Sequence, residues 1–133
     1  KNLEKIIANN NLASIVKIKP FKENIFPFIF KSRSLIMTSH WEDPGFVLLE
    51  GAACRTFLIS SNCNNGPTEI LDNNKAGLLF KVNDNQDFLK VFNDFLKMPD
   101  DQIRKKKVNA LKKAKLFTIF NHSRDFHSIL NIN

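Results

Sequence analysis

Two glutamates, Glu42 and Glu50, stand with seven residues between them. The chain around them reads as the end of a strand, a tight polar loop at His40 to Pro44, and a helix from about Pro44 to Cys54. Asp43 is a good N-cap, and Pro44 suits a first helical position, where a missing N–H costs nothing. The N–H groups of Gly45, Phe46 and Val47, with the positive end of the helix dipole, make a natural seat for phosphate. Gly45 lets a ligand approach the backbone closely. Glu50 is about five residues in, roughly 7.5 Å along the axis. A ribose extending along the helix from a bound diphosphate would bring its hydroxyls there, and carboxylates are the usual acceptors for them in nucleotide folds. Glu42 would lie on the far side of the diphosphate, beside the group being transferred.

Glu50 is the one charged residue between Phe46 and Cys54. A helix apolar all round is normally buried, and a buried carboxylate is costly unless something hydrogen-bonds it. Glu50 therefore needs a protein partner, with Arg33 and Arg55 the nearest in sequence, or a polar ligand.

The elements that must position these residues follow from periodicity. Asn2 to Asn10 has helical spacing, and Ile15 to Ile18 is a short β-branched run ended by Pro20. Asn24 caps a helix through Phe30. Ser34 to Ser39 and Thr56 to Ser60 are continuous apolar runs, the kind buried on both faces of a parallel sheet. Pro67 starts a short helix through Leu71, and Ala76 to Val82 reads as another strand. Asn85 to Lys97 is an amphipathic helix. A lysine-rich helix begins at Pro99-Asp100-Asp101, its apolar stripe formed by Ile103, Val108, Leu111 and Ala114. A last helix, about Ile119 to Ile129, presents Phe120, Phe126, Ile129 and Leu130. Strands alternating with helices predict an α/β domain, a Rossmann-like parallel sheet of about four strands with flanking helices. Ligands of such sheets bind outside the carboxyl ends of the strands, where His40 to Pro44 lies.

Composition narrows the classes. At 133 residues the chain is one domain, and 43% hydrophobic with 25% charged residues is ordinary for a soluble protein. No apolar run approaches the ~20 residues of a membrane span, and no signal-peptide pattern opens the sequence. Cys54 and Cys63 are read as reduced thiols in a cytoplasmic setting. His40, His122 and His127 are spaced unlike any zinc motif, so no metal is expected. The formal charge is +7, from 20 basic against 13 acidic residues. Much of that excess lies in Arg104 to Lys107 with Lys112, Lys113 and Lys115. Such a face is solvated or rests on anionic lipid at the inner side of a membrane. No recognised motif for specific nucleic-acid readout accompanies it.

The run Ser39-His40-Trp41-Glu42 through Gly45-Phe46-Val47-Leu48-Leu49-Glu50-Gly51-Ala52-Ala53-Cys54 resembles the donor-site signature of family 4 retaining glycosyltransferases, an E-x7-E motif. The similarity continues through Thr56 to Ser60, Asn64-Asn65-Gly66-Pro67-Thr68-Glu69-Ile70-Leu71 and Ala76-Gly77-Leu78-Leu79. It implies the C-terminal, donor-binding part of a two-domain GT-B enzyme. In that family Glu42 would contact the donor hexose as the catalytic carboxylate, the amides of Gly45, Phe46 and Val47 would bind the diphosphate, and Glu50 would hold the ribose. Lys19 and Phe21 fall in the turn that lines the nucleobase. The donor would be a nucleotide-diphosphate sugar, used without metal or other cofactor, and the acceptor a glycan or lipid. Glu69, on the short helix, is a candidate brace for the site. Trp41, Phe46, His40 and Cys63 read as packing residues or bystanders.

This chain departs from the pattern in three places. Asp43-Pro44 is inserted where the family often runs Glu-Gly-Phe, Arg55 replaces a helix-ending glycine, and Lys19-Pro20 replaces a glycine at the base-lining turn. The sequence also starts at Lys1 inside a helical pattern, as expected of an N-terminally truncated fragment: residues 1–133 read as one partial nucleotide-sugar-binding domain without its acceptor half. Two further strands of the family's sheet would separate Ile15–Ile18 from Leu35–Thr38. Here the two must pair directly, pair with another copy, or leave an open edge that favours a homo-oligomer. Two other readings use the same residues, a non-catalytic nucleotide-binding or oligomerisation module and a GT-B-like sugar-nucleotide epimerase. The expected outcome of an assay on this polypeptide alone is no sugar transfer, and measured transfer would overturn that expectation.

Overall fold

The computed structural model describes residues 2–130. Three short parallel strands, β1 (Ser34–Met37), β2 (Phe57–Ser61) and β3 (Leu78–Phe80), lie in the order β1-β2-β3. Leu35 pairs with Leu58, and Ile59 with Leu78. All five residues of β2 are buried, as its unbroken apolar sequence requires of a central strand. The helices are α1 (Asn2–Asn9), α2 (Phe26–Lys31), α3 (Phe46–Ala53), α4 (Pro67–Ile70), α5 (Asn85–Lys97), α6 (Asp100–Ala114) and α7 (Ile119–Leu130).

Alternate residues of β2 serve two cores. Leu58 points with Met37 into a cluster closed by Leu48 and Ala52 of α3, Ile70 of α4 and Ala110 of α6. Phe57 and Ile59 point the other way, against Phe80 and Phe95. The Phe57 and Phe95 rings stack with centroids 4.6 Å apart. Asp84 caps α5 by accepting from the Asp87 N–H at 2.9 Å. Helix α6 is pinned by Lys106, whose Nζ donates to the carbonyls of Asn74 and Gly77, and by Asn109, which donates to the Lys75 carbonyl at 3.1 Å. Partial burial, and then the neighbouring Lys105, hold the Lys106 ammonium below the usual lysine range.

Three local expectations are corrected. Ile15 to Ile18 forms no strand: Ile15 sits in a turn and is 76% exposed, and Val16 to Ile18 runs as irregular chain after α1. The sheet therefore has three strands among the described residues, and the outer side of β1 is open rather than paired with that segment. In the lysine-rich helix, Ala110 is the buried residue and Val108 is 46% exposed, so the buried stripe runs through Ala110 and Ala114 instead of Val108. Helix α7 forms over the expected span, but none of its described side chains is buried.

Arg55 closes α3 in the left-handed conformation, at φ 54°. Its N–H donates to the Ala52 carbonyl and the Thr56 N–H to the Gly51 carbonyl, both at 3.0 Å, the Schellman arrangement that normally places glycine here. A side chain in this conformation costs about 1–2 kcal/mol, partly offset because glycine loses more entropy on folding. Arg55→Gly should therefore stabilise the fold by about 0.5–1 kcal/mol. Thermal unfolding followed by circular dichroism should show a midpoint about 2–4 °C higher, and a lower midpoint would contradict the strain argument.

Candidate functional site

The pairing of β1 and β2 outlives the strands. Beyond Met37 the chain stays beside its neighbour, with a parallel bridge between Trp41 and Asn64 and a hydrogen bond from the Glu42 N–H to the Asn64 carbonyl at 3.4 Å. Ser61 Oγ donates to the Ser39 carbonyl at 2.5 Å. The loops 38–45 and 62–66 thus run side by side at the carboxyl ends of the strands. At their tips they meet backbone to backbone. Gly66 has φ 125°, and a Cβ there would fall 1.8 Å from the Pro44 carbonyl oxygen. Thr68 Oγ1 donates to Asn62 Oδ1 and closes the second loop onto α4.

This junction sets the start of α3. The residue at the cap is Gly45, at φ 84°, ψ 48°, not Asp43, and no side chain caps the helix. Asp43 and Pro44 lie in the bend before it, joined by a cis peptide bond. The first helical residue is Phe46, and Glu50 is four residues further on, ~6 Å along the axis. The Leu48 N–H is taken by the Gly45 carbonyl at 3.0 Å, while those of Gly45, Phe46 and Val47 have no hydrogen-bond acceptor among the described residues. The left-handed Gly45 turns the chain from the bend into the helix.

Glu42 bends back over this end. Its Oε2 is 3.7 Å and its Cγ 3.6 Å from where a Cβ on Gly45 would sit. A half-buried carboxylate beside a helix N-terminus is stabilised by the dipole, by about 0.3–1 kcal/mol. Glu50 is half-buried too, and its carboxylate makes no hydrogen bond or ion pair among the described residues; neither Arg33 nor Arg55 reaches it. Arg33 lies instead over the Phe95 ring, 5.2 Å from its centroid. Helix α3 is not buried all round, contrary to its composition. Leu48, Gly51 and Ala52 face the sheet, whereas Phe46 is 63% exposed and lies one turn before Glu50 on the outward side.

The remaining sequence candidates separate. Lys19 and Phe21 lie in exposed chain, Phe21 at 91%, and no side-chain hydrogen bond ties either to the loop at Glu42. Glu69 is exposed on α4 and lines a cavity of ≈ 650 Å³ together with Pro44, Phe46, Lys113, His122 and Asp125. Glu42 and Glu50 are not among the residues lining this cavity. Sequence reasoning missed Lys113, His122 and Asp125, because periodicity predicted their helices without revealing that α6 and α7 meet beside the start of α3. No group of three His, Cys, Asp or Glu side chains is placed to hold a metal among the described residues, and no described helix is long and apolar enough to cross a membrane.

The model of the family Glycosyl transferases group 1 matches residues 1–116. A protein of Thermosipho melanesiensis described as a probable sucrose-phosphate synthase is 36% identical over 73 residues, covering 52% of this chain and 16% of its own length. Among solved structures, a glycosyltransferase from Rickettsia africae superposes with a TM-score of 0.83 at 23% identity, over 96% of this chain and 34% of that one. Anabaena HepE, determined in complex with UDP and glucose, gives a TM-score of 0.84 at 19% identity, over 98% of this chain and 35% of that one. The chain therefore spans about a third of the length of these structures, which share the GT-B type of Rossmann-like domain.

Gly66→Ala tests the junction between the loops. The added methyl would collide with the Pro44 carbonyl and also occupy a positive-φ position. We expect a loss of about 2–4 kcal/mol in urea unfolding, at the upper end of single-residue effects. An unchanged midpoint would show that the loops are free to part.

Proposed function

This chain belongs to the group 1 glycosyl transferases, and from that premise we propose that it supplies part of the donor site for retaining transfer of a hexose from a nucleotide-diphosphate sugar. The observation that carries this reading is the conjunction at α3: three amides without acceptors, Glu42 packed beside Gly45, and an unpaired Glu50 on the same helix. The diphosphate lies at Gly45, Phe46 and Val47, where the N–H groups and the dipole stabilise negative charge. Charge grows on that diphosphate as its bond to the anomeric carbon breaks, so fixed donors there favour the transition state over the bound donor. Glu42 contacts the hexose. The acceptor hydroxyl bonds the anomeric carbon on the face the diphosphate leaves, its proton passing to the departing phosphate oxygen, and configuration is retained. Glu50 accepts from the ribose hydroxyls.

Two arrangements in this chain support those roles. The 6 Å between the start of α3 and Glu50 is about the reach from a diphosphate to the ribose that follows it. Glu50 also presents a carboxylate with no competing protein partner, as a ribose acceptor requires. Lys19 and Phe21 line the base only if the exposed segment that holds them folds over the nucleotide. Acceptor recognition, by a glycan or lipid, we assign to the portion of such enzymes that this chain does not span.

Titration calorimetry with UDP and GDP, and then with their hexose conjugates, tests the assignment. Glu50→Gln should weaken binding of the nucleoside diphosphate about 10- to 100-fold, since a charge-assisted hydrogen bond contributes about 1.5–3 kcal/mol. Glu42→Gln should leave nucleoside diphosphate affinity within about twofold and remove the extra affinity due to the hexose. Equal nucleotide affinity in wild type and Glu50→Gln would reject the ribose role, and no nucleotide binding by the wild-type chain would favour a structural module.

A further inference from the structure

A second cavity, of ≈ 600 Å³, runs along α6 and reaches Arg55 past the end of α3. Five of the side chains lining it are cationic, Arg55, Arg104, Lys107, Lys112 and Lys115, against one acid, Asp100. None of the five cationic side chains makes an ion pair or hydrogen bond among the described residues. Three, Arg104, Lys107 and Lys112, lie on α6 and Lys115 caps it, turned to one side because Lys106, Ala110 and Ala114 fix the other side against the body. Like charges gathered on one concave surface repel one another and lower the local potential energy of an anion. The fifth, Arg55, stands where glycine would be unstrained. A strained residue at a helix end calls for a use of its side chain, and here the guanidinium joins the basic surface.

The floor is apolar. Val108 and Leu111 lie between the cations, and Val108 is 46% exposed. We propose that this cavity and the surrounding face of α6 dock the chain on an anionic lipid bilayer, the cations meeting head-group phosphates and Val108 and Leu111 entering the acyl boundary. Charge complementarity selects an anionic partner. The exposed valine among the lysines selects one with an apolar interior, since a polyphosphate backbone offers it nothing. Arg55 lies past the end of α3, set apart from Gly45 at its start by the ~12 Å that the helix's 8 residues span. The proposal stands on α6 and Arg55 and does not depend on the donor-site reading.

Co-sedimentation of the full chain with vesicles tests it. Vesicles of phosphatidylcholine with about one-third phosphatidylglycerol should bind at least about tenfold more tightly than phosphatidylcholine alone, and the difference should shrink in ~0.3 M NaCl. The triple variant Arg104→Glu, Lys107→Glu, Lys112→Glu should lose about 30-fold or more. An equal change of charge elsewhere, Lys5→Glu, Lys90→Glu, Lys97→Glu, should cost less than about threefold. Arg55→Gly, which is expected to strengthen the fold, should nevertheless weaken vesicle binding about threefold, separating the side chain's role from stability. Val108→Ser should reduce the binding that survives high salt. Equal losses in the two triple variants would reduce the effect to net charge and overturn the proposal. So would equal binding to both lipids, or release from vesicles by millimolar glycerol phosphate at matched ionic strength, which would make a soluble phosphate the ligand.

Discussion

The geometry at the carboxyl end of the sheet depends on one contact, that of the Gly66 backbone against the Pro44 carbonyl. Without a side chain at Gly66 the two loops close to backbone distance. With one they could not, because the space a Cβ needs is already filled by the oxygen. The contact is the last in a series that continues the strand pairing outward, through Ser61 on Ser39 and Asn64 on Trp41 and Glu42. A loop linked to its neighbour at each step has few conformations left, so the first turn of α3 is placed by the sheet rather than by its own cap. That explains how the helix begins at a left-handed glycine with no capping side chain: the tertiary contacts do what a serine or aspartate usually does.

Close packing then decides which side of α3 faces outward. Gly51 comes so near β2 that a Cβ on it would lie 2.6 Å from Leu58 Cδ2, and Ala52 beside it is fully buried. Small residues on one side draw the helix axis towards the sheet and commit Leu48, Gly51 and Ala52 to the core. Helical geometry leaves Phe46 and Glu50, one turn apart, on the other side. A carboxylate that reads as a buried anomaly in the sequence is, in the fold, the polar member of an open face. Its desolvation is partial, and that is why it needs no arginine.

The α/β class, the buried central strand and the loop-to-helix transition at Glu42 were legible in the sequence because each rests on local periodicity or on an unbroken apolar run. Phe57 to Ser61 could hardly be anything but a central strand. What failed, failed where tertiary context overrides propensity. Ile15 to Ile18 has the residues of a strand, but a strand needs a pairing partner, and among the described residues this segment pairs with none. Asp43 has the side chain of an N-cap, yet the loop junction moved the helix start two residues beyond the expected Pro44. Val108 was assigned inward by spacing alone, and the hydrogen bonds of Lys106 and Asn109 to the turn before β3 rotate α6 the other way. The convergence of Lys113, His122 and Asp125 near Pro44 had no local signal to betray it, since it arises from the meeting of two helices.

Helix α3 joins two ends of opposite electrical character, and its dipole suits both. The amide end, where Glu42 bends over Gly45, is positive; the carbonyl end, closed by Arg55, is negative. An anion at the first and a cation at the second are each favoured by the same alignment of peptide groups, so Arg55 gains there part of what its backbone conformation costs. The sequence of loop, helix and left-handed arginine therefore sets two features at opposite ends of α3: amides without acceptors at the carboxyl ends of the strands, and Arg55, where the basic cavity along α6 reaches the far end.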